Sequence, residues 1–472
     1  VCEPQQTEQV HAVHQQVGDA RKKEMRKEVF HVAWPALTEL FLTTLASIVD
    51  LIMVGTLGPA AISAVGFCQQ PRFLALAAFV ALNTGATALI ARFKGAGEHA
   101  AANRVMRQNL LLTIGVSVVV GVLGAAFAGP IMQVMGAIPG QASYAGAVDY
   151  FRIQMYGLLA MTLPLAVSAA LRGVGNTKAA MRLNLIANLV NIVLNYLLIG
   201  GNLGFPRMEV AGASLATVLG NVVAAAGGLY VLMRGRHYVR LQKGDSFKPD
   251  FPLIGRIVRI GGPTMLEQVV LRVGLIIFLR AVAGLGEIAF ATHQVTVNIL
   301  SLSFMNGQAF GIAATTLVGQ SLGRDRPDEA RQYTSYCQQM GFLISTVLAL
   351  LFFFFGRQFV WLFVFLSPDV AASADMMVMG AQVLQVIAVI QPIQASQLIY
   401  SGALYGAGDT KTTALIVFLG LIVVRPIFIY LCMNLLHWGL VGAWVACAVD
   451  QAVRALLITI RFRSGKWSAV RV

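Results

Sequence analysis

The sequence predicts an all-α integral membrane protein: twelve transmembrane helices in two parallel six-helix lobes, related by a pseudo-two-fold axis along the membrane normal. Three observations predict it. Of 472 residues, 57% are hydrophobic and 12% charged, against about 25% charged in soluble domains, and the mean hydropathy is +0.71. Twelve apolar segments each approach or exceed the roughly 20 residues that carry a helix across a bilayer. The second half of the chain also repeats motifs of the first at a nearly constant offset. This composition cannot clothe a soluble enzyme in polar surface, and it excludes a disordered or fibrous chain.

The segments fall near 32–56, 70–93, 108–129, 147–170, 181–201 and 209–233, then near 253–283, 291–322, 333–366, 376–403, 412–434 and 439–462. The formal net charge of +14 would suggest nucleic acid in a soluble protein; here it reads as topology. With the N-terminus placed in the cytoplasm, the inside segments are the tail, 92–107, 172–182, 234–259, 324–331, Lys411 and the C-terminal end. They hold 27 of the 35 Lys and Arg residues. The outside loops and edges hold three, Arg72, Arg207 and Arg357, and Arg152, Arg272, Arg280, Arg425 and Arg454 lie within spans. Cytoplasmic loops attract basic residues, so this bias supports the count, and it predicts a plasma (inner) membrane protein with both termini inside.

The repeat is visible residue by residue. Pro35-Ala-Leu-Thr-Glu39 recurs as Pro263-Thr-Met-Leu-Glu267, Leu57-Gly58 as Leu285-Gly286, and Gly95 as Gly323. Leu171-Arg-Gly-Val-Gly-Asn-Thr-Lys178 recurs as Leu404-Tyr-Gly-Ala-Gly-Asp-Thr-Lys411, and Gly212-Ala213 as Gly442-Ala443. Six spans per half return the chain to its starting side, so the repeats are parallel, a transporter architecture that permits rocking of one lobe on the other. The expected divisions are a tail at 1–30, an N-lobe at 31–233, a linker at 234–252, a C-lobe at 253–462 and a tail at 463–472. The polar, basic segment 1–30 reads as a cytoplasmic tail rather than a cleavable leader. The Gly-x-Gly turns follow helix ends and not strands, so they read as caps rather than phosphate loops. Cys2, Cys68, Cys337, Cys432 and Cys447 show no metal-binding or redox spacing and read as free thiols.

These motifs resemble the multidrug and toxic compound extrusion (MATE) family, in its prokaryotic branch. They are Pro35-x-x-x-Glu39, Val49-Asp50-x-x-Met53-Val54-Gly55, the two Gly-x-Gly-[Asn/Asp]-Thr-Lys turns, Pro263-x-x-x-Glu267-Gln268, Ala291-Thr-His293-Gln294 and Gly311-Ile-Ala-Ala-Thr-Thr-Leu-Val-Gly-Gln320. The resemblance spans nearly all of residues 30–460. It implies a V-shaped pair of helical bundles, a monomer, and export of organic, often cationic, compounds against inward H⁺ or Na⁺. It implies no cofactor beyond that ion, and no nucleic-acid partner.

Ionisable groups inside a bilayer are costly and mark function. Asp50 lies about five residues before the outer end of the first span. Asn184, Asn188, Asn191 and Asn195 share one face of the fifth span. Asn195 matches Asp50 in depth, as does Thr217 of the sixth span. Carboxylate, amide and hydroxyl oxygens suit a hard cation, whereas interhelical hydrogen bonding is the structural alternative for the amides and Thr217. The resemblance places Asp50, Asn191 and Thr217 on the family's N-lobe cation site. Many relatives have a second aspartate where this chain has Asn195, so proton coupling gains over Na⁺. Asp50, Asn188, Asn191, Asn195 and Thr217 are therefore the coupling candidates, with Na⁺ the one metal ion contemplated.

At the repeat positions the C-lobe has Phe278 for Asp50, and Arg425 near that of Asn191, so the coupling ion is expected only in the N-lobe. Glu39 and its counterpart Glu267, with Arg272, are open between an internal ion pair or gate and direct binding of substrate or proton. His293 is open between a structural hydrogen bond and a proton relay. Gln294 and Met53 join them as substrate or gating candidates. Phe67, Phe290, Phe304, Met305 and Tyr400 could complete an adaptable cavity, although ordinary packing explains each singly. A helix-10 acid known in the family has no match, and that span offers glutamines instead. Asp450 and Arg454 read as an ion pair near the cytoplasmic edge. A flippase for lipid-linked substrates is the alternative within transporters. A membrane enzyme is disfavoured for want of clustered catalytic groups.

Overall fold

The computed structural model describes residues 4–235, 237–242, 244–364 and 370–470, and every long element in it is helical. In the first half these are α1 (Pro4–Gly55), α2 (Pro59–Gly95), α3 (His99–Ala126), the short α4 (Ala128–Val134), α5 (Ala142–Tyr156), α6 (Leu158–Gly173), α7 (Thr177–Gly200) and α8 (Glu209–Met233). The second half has α9 (Phe251–Ala283), α10 (Glu287–Gly323), α11 (Pro327–Val364), α12 (Val370–Ala407), α13 (Thr410–Phe418), α14 (Arg425–Ile429) and α15 (Gly439–Arg463). Among the described residues ten helical segments are long and apolar enough to cross a membrane. The pair α5 and α6, bent by 51°, makes an eleventh. The remaining long helix, α9, carries Arg256, Arg259, Glu267, Arg272 and Arg280 and completes the expected order.

Four departures from the expected spans have local causes. The helix that carries the first span starts well before 32, because α1 runs unbroken from the N-terminal segment. Met25, Val29 and Val32 bury the extension against α10 and α11, and tertiary packing of this kind makes polar sequence helical. The second span begins at Pro59, about three turns before the expected 70, since proline is tolerated in a first helical turn. Arg72 therefore lies inside α2 and not at its edge. The fourth span breaks at Gly157, between α5 and α6. The eleventh is interrupted by π-helical turns at Leu419–Val424 and Tyr430–Leu435, which insert extra residues into an otherwise regular helix.

The repeat reappears in the turns. The repeat partners Gly58 and Gly286 have φ of 99° and 100°, and Gly175 and Gly408 have 77° and 83°. Glycine alone adopts this backbone without steric cost.

Short turns make successive spans antiparallel, so one side of the bundle carries the 234–250 linker and the other the Gly55–Pro59 turn. On the linker side the halves are in close contact. A Cβ on Gly95 would lie 2.0 Å from the Gln320 carbonyl oxygen, and one on Gly323 1.9 Å from that of Arg92. Gly85 and Gly261 likewise press on the backbones of Ile257 and Ala81. Thr316 Oγ1 donates to the Arg172 carbonyl and Gln320 Nε2 to that of Gly173, each at 3.0 Å. Nearer mid-depth, Arg272 lies over the Phe73 ring at 4.3 Å.

Candidate functional site

α1 and α7 run in the same direction, and their side chains pair at one constant separation along the chain. Asn184 donates to Glu39, Asn188 Nδ2 to Thr43 Oγ1 at 3.4 Å, and Asn195 Nδ2 to Asp50 Oδ1 at 2.6 Å. The asparagine face of α7 thus forms a ladder on α1. The α7–α8 crossing is made close by Gly212 and Gly220, whose added Cβ atoms would meet the carbonyls of Leu198 and Ala187 at 2.7 Å each. That approach brings Thr217 to Asn191.

Asp50, Asn191, Asn195 and Thr217 consequently form one cluster. Asn191 and Asn195 are buried. When the Asn191 amide turns its nitrogen to the carboxylate, it donates to Asp50 Oδ1 at 2.8 Å and accepts from Thr217 Oγ1 at 3.2 Å. Asn195 Oδ1 is buried without a partner. Val54, Ile199 and Ala213, with Met53 beside them, belong to the apolar packing of this end of the half. One carboxylate, two amides and a hydroxyl can hold a monovalent cation through oxygen, or a proton on the carboxyl. Asn188 lies outside the cluster, because its partner is Thr43.

The other candidates disperse. Glu39 is buried in an ion pair with Arg172, whose carbonyl is held by Thr316 of the other half, so it belongs to the linker-side contact. Glu267 does not pair with Arg272: Tyr405 Oη donates to Glu267 Oε1 at 2.6 Å, while Arg272 stacks on Phe73. The spacing between them puts the two side chains on diverging faces of α9. Glu267 Oε2 is buried without a partner. His293 lies among Phe278, Phe290 and Trp444, with Nδ1 unpartnered, and Gln294 is exposed on α10. The apolar candidates belong to separate packing clusters. Met53 and Phe67 pack in one cluster, Phe290 in a second, and Tyr400 against Phe462 in a third. Cys68, Cys337, Cys432 and Cys447 are buried free thiols, and Cys2 lies outside the described residues.

A buried charge cluster that spacing alone did not assemble sits in the second half. Asp450 accepts from Arg425 Nη2 at 2.7 Å and from Arg454 Nε at 2.9 Å. The Asp450–Arg454 pair is therefore mid-span and not near the cytoplasmic edge. Arg425 was legible as an intramembrane charge; its partner was not, because the two lie on different helices.

Comparison with known proteins agrees with this architecture. The MatE family model matches residues 35–197 and again 263–431. The "Probable multidrug resistance protein NorM" of Thermotoga maritima is 28% identical over 444 residues, covering 94% of this chain and 93% of that protein. "Multidrug resistance protein NorM" of Burkholderia vietnamiensis is 25% identical over 417 residues, covering 87% and 85%. Among solved structures, an outward-facing multidrug resistance MATE family transporter of the MOP superfamily superposes with a TM-score of 0.84 at 22% identity, covering 95% of this chain and 97% of that one. A MOP superfamily transporter from Pyrococcus furiosus gives 0.86 at 23%, covering 94% and 96%. Two matches of one family model over most of the chain, on an all-helical multi-pass membrane fold, place this protein in the MatE (multidrug and toxic compound extrusion) family of transporters, which are not enzymes.

Proposed function

We propose that the chain is a secondary exporter of lipophilic organic compounds, often cationic, driven by inward movement of one monovalent cation. Asp50 with Asn191, Asn195 and Thr217 is the observation that carries the reading. A carboxylate at this depth is costly unless it binds a proton or cation for part of the cycle. The Asn191 amide nitrogen satisfies the carboxylate, and Asp50 Oδ1, Thr217 Oγ1 and the amide oxygens of the cluster are the atoms that would hold a cation. The ion is H⁺ or Na⁺, and the lone carboxylate favours H⁺.

In this reading the halves, 31–233 and 253–462, are lobes joined by the 234–252 linker, and both termini are cytoplasmic. The tight contacts at Gly95 and Gly323 then close the cytoplasmic side, and the chain stands open outward. The test is export of a cationic dye from proteoliposomes under a Na⁺ gradient alone and a pH gradient alone. We expect one gradient to drive export and Asp50→Asn to abolish it. Gradient-driven export that survives Asp50→Asn overturns the site, and no gradient-driven export overturns the function.

A further inference from the structure

The second half contains the counterpart of the Asp50 cluster, and its occupant is part of the chain. Three contacts of the first half recur there. Ala187 faces Gly220 across the α7–α8 crossing. At the matching repeat positions Gly420 faces Asp450, whose Oδ1 lies 2.3 Å from where a Gly420 Cβ would stand. Asn191 bonds Thr217. Its counterpart contact is Arg425 Nη2 donating to Cys447 Sγ at 3.4 Å, and Cys447 is the repeat partner of Thr217. Asn191 reaches Asp50. In the second half the Arg425 guanidinium lies over the ring of Phe278 at 5.6 Å, and Phe278 is the repeat partner of Asp50. The π-helical turn at Leu419–Val424 accounts for the single inserted position that brings Arg425, rather than Val424, to the place of Asn191.

The chemistry is inverted at the positions of Asp50 and Asn191. Where the first half has a carboxylate, the second has an aromatic face, which attracts a cation without charge. Where the first has an amide, the second has a guanidinium that keeps its charge at any relevant pH. Asp450 answers Arg425 and Arg454 together, so the cluster of three charges holds a net positive charge. Arg425 is 8% exposed and Asp450 fully buried.

We infer that Arg425 is a tethered cation permanently filling the second-half counterpart of the coupling site, so that H⁺ or Na⁺ loads in the first half alone, one per chain. The inference rests on the reading of Asp50 as the coupling site. It explains how a duplicated bundle retains one coupling event: the second site is occupied and its field repels a further cation.

The test counts cations on the detergent-solubilised full chain. One arm measures ²²Na⁺ at equilibrium. The other measures, in Na⁺-free buffer, protons released on adding tetraphenylphosphonium. We expect one cation per chain in one arm, and none in Asp50→Asn. Two cations with one retained in Asp50→Asn overturn this inference and leave the Asp50 reading intact. One cation retained in Asp50→Asn, or none in wild type in either arm, overturns the Asp50 reading and this inference with it. The combined variant Phe278→Asp, Arg425→Asn, Cys447→Thr rebuilds the first-half residue set. If folded by size-exclusion chromatography, it should gain a second cation that resists Asp50→Asn, whereas Arg425→Lys should stay at one. A folded combined variant that gains none overturns the role of Arg425. If it does not fold, the count in wild type and Asp50→Asn decides.

Discussion

Gly95 and Gly323 clasp each other's helices. Each occupies the same repeat position, and each lies against a carbonyl at a matching position of the other half, Gln320 for Gly95 and Arg92 for Gly323. No side chain larger than hydrogen fits either place while the halves are in this arrangement. Transport by rocking requires this contact to form and part in every cycle.

Gly95→Val or Gly323→Val should therefore disfavour the observed arrangement without emptying either bundle's core. Dye export is expected to fall at least tenfold while the protein still elutes as a folded species. Cysteines placed on the facing surfaces of α2 and α10 should become more reactive to a membrane-permeant thiol reagent. Unchanged export would show that the contact is dispensable.

Asn195→Asp tests the charge of the proposed coupling cluster in the opposite sense from Asp50→Asn. A second carboxylate beside Asp50 strengthens the attraction for Na⁺, by about 4 kcal/mol for charges ~4 Å apart at an effective dielectric of about 20 before desolvation is deducted. The measurable expectation is at least tenfold tighter ²²Na⁺ binding. A variant that binds Na⁺ no better than wild type would show that the Asn195 side chain does not face the ion.

The Glu39–Arg172 pair should behave as structure rather than as a carrier. Removing one partner of a buried pair costs roughly 3–5 kcal/mol. Arg172 is 25% exposed, so solvent screening reduces the expected loss to about 2–3 kcal/mol. Glu39→Gln should lower thermal stability, and Arg172→Met combined with it should restore part of the loss. Cation stoichiometry should not change in either variant.

The extension of α1 is anchored to the other half, where Arg21 pairs with Glu329, Glu28 accepts from Tyr333 Oη, and Arg26 lies over the Tyr336 ring. Arg326 also pairs with Glu329, at 2.8 Å. Exposed pairs contribute about 0.5 kcal/mol each and weaken with salt. Glu329→Gln should thus raise amide hydrogen exchange over residues 19–31 several-fold, with a smaller rise when salt is added to wild type. Exchange that does not respond would locate the anchoring in Met25, Val29 and Val32 instead.

Much of the Asp50 cluster was legible because its geometry is helical arithmetic. Asp50 and Asn195 sit at matching depths in parallel spans, and the i, i+4, i+7, i+11 spacing puts the asparagines on one face. Asn188 meets Thr43 and not Asp50, because that face is long enough to serve three separate side chains of α1. The internal pair of Glu267 with Arg272, one of the readings left open, does not form because their separation along the helix turns the second side chain away, toward Phe73, while Tyr405 meets Glu267. The aromatic and methionine candidates lie in three packing clusters drawn from both halves, a distribution that no spacing along one helix reveals.

By itself the sequence determined the membrane class, the helical periodicity, the duplication and the placement of Asp50, since each depends on local composition or on a regular repeat along the chain. Only the tertiary structure decided that Gly95 and Gly323 meet across the halves, that α1 grips α11, and that Arg425 shares Asp450 with Arg454. Those relations join residues far apart in the chain. They depend on interhelical distances of a few ångströms, and on π-helical turns that shift register by single residues, which no pattern along one helix encodes.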